Sequence, residues 1–126
     1  LKFIVAGSRT IDERKAYSEL QRLNMDESHP FSKVTVIVDG GATGSDRAGN
    51  KFGHDYGIPV NTFKAEWEKY GNRAGPIRNN KMAVYADALV LIWDGKSKGS
   101  RHMKEAMLAL NKPVYEIILE VPVETK

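Results

Sequence analysis

Cysteine is missing from the chain, which excludes a disulfide framework and thiolate chemistry of any kind. That fits a reducing compartment, and a cytoplasmic location is the expectation. No apolar run approaches the ~20 residues of a membrane span, and no signal-peptide pattern is visible, so no membrane partner is expected. A dense basic stripe is lacking too. The 19 lysines and arginines are dispersed among 16 acids, leaving a net charge of +3. A small anionic ligand needs only a few of these cations, whereas a nucleic-acid surface needs a stripe, so nucleic acid ranks behind a small ligand as partner. The three histidines, His29, His54 and His102, match no metal spacing, and no metal site is expected. His29 and His54 read as surface residues, and His102 as a further ligand candidate. No Gly-x-Ser-x-Gly elbow supports a nucleophilic triad. Neither a Walker A loop nor a Gly-x-Gly-x-x-Gly fingerprint occurs, and no cofactor is implied.

What is present is an ordinary globular composition, 41% hydrophobic and 28% charged over 126 residues. That suffices for one domain with a real core, taken as residues 1–126. Five β-rich apolar stretches occur, at residues 2–6, 34–38, 58–63, 88–93 and 113–119. Between them lie segments of helical periodicity. The first starts at Thr10, with Glu13 completing a capping box, and carries Ala16, Leu20 and Leu23 on one face. The second covers residues 45–56 with Ala48, Phe52 and Tyr56 in register. The third follows Pro76 and turns Ile77, Val84 and Tyr85 inward. The fourth begins after Ser100 with Met103, Ala106, Met107 and Leu110 on one face. Alternation of this kind predicts an α/β, three-layer Rossmann-like fold: a mainly parallel five-stranded sheet with helices on both faces. The tail after Glu120 reads as an edge extension or a frayed end.

In such a sheet ligands bind beyond the carboxyl ends of the strands, near the point where strand order reverses. The loops at that edge are Gly7-Ser8-Arg9-Thr10, Gly40-Gly41-Ala42-Thr43-Gly44-Ser45-Asp46, the stretch from Lys64 through Trp67 to Arg78, and Asp94 to Ser100. They are rich in Gly, Ser, Arg and Asp, while the opposite loops look like plain turns. The Gly40-Gly41 loop is either a helix-entry turn or a phosphate cradle, since glycines admit close backbone approach and the next helix offers unpaired N–H groups. Asp46 either caps that helix or binds ribose hydroxyls. Arg9, beside Ser8, suits a phosphate or carboxylate. Arg78 and Asn79 open the third helix, where a positive residue opposes the helix dipole and so suggests a purpose beyond stability. Ser97, Gly99 and Ser100, following Asp94, offer further anion contacts. Trp67 either stacks on a ligand ring or is covered by a neighbouring subunit or the third helix.

Taken together, Ala6-Gly7-Ser8-Arg9, Asp39 through Asp46, Ala65-Glu66-Trp67, Tyr70-Gly71, Ala74 to Asn79 with Met82, Ala86-Asp87, and Trp93-Asp94-Gly95 with Ser97, Gly99 and Ser100 resemble the SLOG superfamily of Rossmann-like domains. The match is nearest to its YspA-type, cpYpsA-related branch, with more distant similarity to the LOG phosphoribohydrolases and DprA. The resemblance covers roughly residues 3–114 and implies a protein that binds a nucleotide-derived small molecule, such as an ADP-ribose, NAD-derived or nucleoside-monophosphate-like ligand, as sensor or sequestering module. It also implies a homo-oligomer. LOG enzymes cleave the N-glycosidic bond of nucleotides with an arginine-lysine pair and a glycine loop leading to a glutamate. Here Asn79 stands in the lysine position and the loop reaches Asp46 instead. If hydrolysis occurs, Asp46 would stabilise the oxocarbenium-like ribose and Arg78 would hold the phosphate.

Overall fold

The computed structural model describes residues 1–120; the tail beyond Glu120, read above as an edge extension or frayed end, lies outside them. Strands β1 (Lys2–Gly7), β2 (Val36–Asp39), β3 (Val60–Thr62), β4 (Ala88–Trp93) and β5 (Val114–Ile118) form one sheet in the order β3-β2-β1-β4-β5. Every pairing is parallel. The order reverses between β1 and β4, where Phe3 pairs with Ala88 and Gly7 with Ile92. β4 is buried along its whole length, as a run of apolar residues covered on both faces requires.

Helices α1 (Glu13–Met25) and α2 (Ser45–Tyr56) cover one face, through Ala16, Leu20, Ala48 and Phe52. Helices α4 (Ala74–Tyr85) and α5 (Lys98–Ala109) cover the other, through Met82, Ala83, Met103 and Met107. The first layer is anchored by aromatic rings, with Phe3 edge-on to Phe31 at 5.2 Å and Phe31 to Phe52 at 5.6 Å. A short helix α3 (Trp67–Tyr70) precedes α4. The Rossmann-like three-layer arrangement is the one that the alternation of elements implies.

Several local expectations are corrected. The first helix is capped by Asp12, whose carboxylate accepts from the Arg14 and Lys15 N–H groups, and not by Thr10. A carboxylate in that position takes two of the orphan first-turn donors. The third helix begins at Ala74, ahead of Pro76, and its inward face is Ala74, Gly75, Asn79, Met82 and Ala83. Val84, 71% exposed, and Tyr85 therefore point outward. The fourth helix starts at Lys98 because Ser97 caps it, accepting from the Ser100 N–H. Tyr56 and Leu110 are exposed at the ends of their helices. His29 is half-buried, its Nδ1 accepting the Phe31 N–H, and its ring lies 4.6 Å from that of Tyr115; burial pushes its pKa down.

Candidate functional site

A cleft of ≈ 400 Å³ opens at the carboxyl edge of β1 and β4, where the strand order reverses. Its walls come from four segments. Gly7 ends β1 and Ser8, Arg9 and Thr10 follow it, and Ala42 and Asp46 belong to the entry of α2. Arg78, Asn79 and Met82 lie on α4, and Asp94, Ser97, Gly99, Ser100 and Met103 run from β4 into α5.

The β1 and β4 loops are locked together by their own polar groups. Ser8 Oγ donates to Asp94 Oδ1 at 3.0 Å and accepts the Asp94 N–H at 3.1 Å. Asp94 Oδ1 also accepts the Lys96 and Ser97 N–H groups. The Lys96 N–H above all, with Ser8 and Ser97 adding to it, holds the Asp94 carboxyl below its ordinary range. Ser100 Oγ donates to Ser97 Oγ at 3.1 Å. Gly7 is required by close approach: a Cβ there would stand 1.6 Å from the Ile92 carbonyl oxygen.

Helix α2 enters through Gly44, at φ +69° and without any side-chain cap. A Cβ on Gly44 would lie 2.5 Å from the Ser8 carbonyl oxygen, so the loop folds directly beneath the β1 loop. Neither Ser45 nor Asp46 caps the helix. Ser45 Oγ instead donates to the Ile92 carbonyl at 2.6 Å. The Asp46 carboxylate turns back and accepts the Gly40 N–H at 2.8 Å. Asp46 is 6% exposed. Burial raises its pKa to about 6, and the opposing pull of the Gly40 N–H and the Arg78 charge does not cancel that rise.

Arg78 is held from two sides. Its Nη1 donates to the Gly40 carbonyl at 2.8 Å and its Nε to Asn79 Oδ1 at 3.0 Å. Asn79 is itself buried, its Nδ2 directed to the Gly99 carbonyl at 3.3 Å and to His102 Nδ1 at 3.2 Å. An amide NH₂ only donates, so His102 Nδ1 is the acceptor in this contact. Ion pairs among the described residues join Arg22 to Glu19, Lys51 to Asp55 and Lys104 to Glu116; Arg78 is in none of them. Burial draws its pKa down, yet a guanidinium stays cationic at neutral pH. The result is a cation at the cleft that is fixed in orientation, with Nη2 making no hydrogen bond among the described residues.

Of the residues expected in a site, the structure gathers Gly7, Ser8, Arg9, Ala42, Asp46, Arg78, Asn79, Asp94, Ser97, Gly99 and Ser100 around one cleft. Gly40, Gly41, Thr43 and Gly44 support it without lining it. Trp67 is not brought to it; the indole is 52% exposed on α3 and lies near Gly75. Sequence reasoning missed Met103 as part of the lining and Asp39, buried at the end of β2, as a neighbour of Asp46. Asp39 accepts the Gly41 N–H at 2.9 Å and so shapes the glycine loop. Its position as the last residue of an apolar strand was the available signal. Among the described residues no three metal-ligating side chains come together, and no helix is long and apolar enough to cross a membrane.

No family model matches the chain. In fold it is similar to the crystal structure of DNA processing protein A (DprA) from Streptococcus pneumoniae, with a TM-score of 0.72 over 95% of this chain. The two are 16% identical and the chain spans 51% of that protein, about half its length. That likeness is one of fold, and it agrees with the Rossmann-like sheet described above. In sequence the chain is 30% identical over 115 residues to the Gene 61 protein of Mycobacterium phage D29, covering 86% of this chain and 90% of that protein. The chain belongs to the family of that phage Gene 61 protein.

Proposed function

We propose that residues 1–126 form a single nucleotide-binding domain of the SLOG superfamily, YspA-type branch, acting in the cytoplasm. In this reading the cleft binds a nucleotide or nucleotide-derived small molecule, of ADP-ribose, NAD-derived or nucleoside-monophosphate type. The protein then serves as sensor or sequestering module. The observation that carries the reading is Arg78: a half-buried guanidinium, tied at Nε and Nη1, in no ion pair among the described residues, facing a cleft at the sheet's reversal point. The carboxylates nearby, Asp46 and Asp39, make no direct ion pair with it; a phosphate supplies an acceptor for the uncommitted Nη2 and a counter-charge in direct contact. The first turn of α2, which no side chain caps, borders the same space with orphan N–H groups, and Arg9 stands at its rim.

A second reading, cleavage of the N-glycosidic bond, is favoured by Asp46. It places a carboxylate in the cleft wall, where an oxocarbenium-like ribose needs one. Incubation with a panel of nucleotides and ADP-ribose derivatives, followed by chromatography before and after denaturation, separates the two. Intact ligand released only on denaturation supports the binding module, whereas free base with ribose phosphate supports the enzyme. A panel with neither product nor retained ligand refutes both.

Single-stranded nucleic acid is a third reading, motivated by the name of the fold neighbour, and it ranks last because the basic residues are dispersed. It requires binding that weakens steeply with salt. The homo-oligomer implied by the resemblance is tested by sedimentation: a species of 14.1 kDa at all concentrations would refute it.

A further inference from the structure

A second cavity, of ≈ 290 Å³, lies between the end of β3 and α4. Phe63, Tyr70 and Ile77 give it apolar walls, and Glu66 and Lys81 stand among its polar groups. Arg78 lines both this cavity and the cleft. Held by its bond to the Gly40 carbonyl, the Arg78 side chain stands in the wall of both spaces.

We propose that this second cavity is the base subsite of the ligand whose phosphate lies in the cleft, and that it favours a base with an exocyclic amino group. The inference rests on the phosphate reading above and adds to it where the rest of the ligand goes. The half-buried Phe63 ring packs on the sheet core and lies 5.5 Å from the Tyr85 ring, so it forms a fixed floor. Tyr70 adds a second ring, and aromatic faces suit a flat, polarisable base. The Glu66 carboxylate can only accept, which matches an amino donor, and Lys81 can only donate, which matches a ring nitrogen or carbonyl. Trp67, the aromatic that the sequence singles out for stacking, lines neither space; the role passes to Tyr70, three residues on.

Calorimetric titration of the whole chain with ribose 5-phosphate, AMP and IMP tests this. AMP should bind about tenfold or more tightly than ribose 5-phosphate, the scale of one stacked base, and IMP should fall between them. Tyr70→Ala and Glu66→Gln, both near the surface, should reduce the advantage of AMP and leave the affinity for ribose 5-phosphate unchanged. AMP that binds no better than ribose 5-phosphate, or an advantage that survives Tyr70→Ala, overturns the base subsite while the phosphate reading stands. Failure of ribose 5-phosphate and AMP alike to bind overturns the base subsite, and failure of ADP-ribose as well overturns the phosphate reading with it.

Discussion

Replacing Asp46 by asparagine should change how the protein's stability responds to pH, and by an amount the structure sets. Asp46 is 6% exposed, and burial lifts its pKa from 3.8 to about 6. A carboxyl whose folded pKa is raised contributes its full stability below the unfolded value and loses it as pH climbs through the folded one. The cost therefore develops between about pH 4 and pH 6 and is constant above. About two pKa units correspond to about 3 kcal/mol. Asparagine keeps an oxygen to accept the Gly40 N–H and carries no charge, so Asp46→Asn escapes the cost. Urea melts of both proteins from pH 4 to pH 8 should show the stability difference, variant minus parent, rising by about 3 kcal/mol across that window. Taking the difference cancels the acids whose pKa values are lowered, such as Asp26, Asp55 and Asp94. Parallel profiles would refute the claim that Asp46 is held in a desolvated wall of the cleft.

Three further perturbations have defined outcomes. Gly7→Ala drives a Cβ into the Ile92 carbonyl, and should destabilise the domain by roughly 2 kcal/mol or more, read from denaturant midpoints. Lys112 donates to the carbonyls of Ala83, Val84 and Ala86 at 2.7, 3.0 and 2.7 Å, closing the carboxyl end of α4. Its replacement by methionine should cost about 1.5–3 kcal/mol in the same assay, with ligand affinity preserved. Asn79→Ala removes the Nε anchor of Arg78. It should lower affinity for AMP at least several-fold while Arg78 is still present, and equal affinity would show that the guanidinium needs no such support.

The layered fold was legible because apolar β-branched runs alternate with amphipathic segments, and tertiary packing followed that pattern. Helix boundaries were less so. Asp12 won the α1 cap over Thr10 because its carboxylate reaches two backbone donors. α4 hid its inward face because that face is built largely from small residues, Ala74, Gly75 and Ala83, so Val84 and Tyr85 took the weight of the periodicity. The cleft was legible at the level of loops, since polar residues crowd one sheet edge. What no local pattern shows is the division of labour within it. Ser8 and Asp94 are 86 residues apart and bind each other, so loop closure occupies groups that, read singly, look like ligand contacts. The uncommitted donor of Arg78 emerges only once Gly40 and Asn79 are seen to occupy its neighbours.

The proposed function rests on Arg78 as the anchor of a phosphate. Titration of AMP and ADP-ribose into the parent protein and into Arg78→Met, with circular dichroism to establish that both are folded, measures this directly. Loss of a charged, oriented hydrogen-bond partner of about 1.5–3 kcal/mol predicts affinity at least tenfold weaker in the variant. Affinity equal in the two proteins would contradict this role of Arg78 and move the binding site away from the cleft.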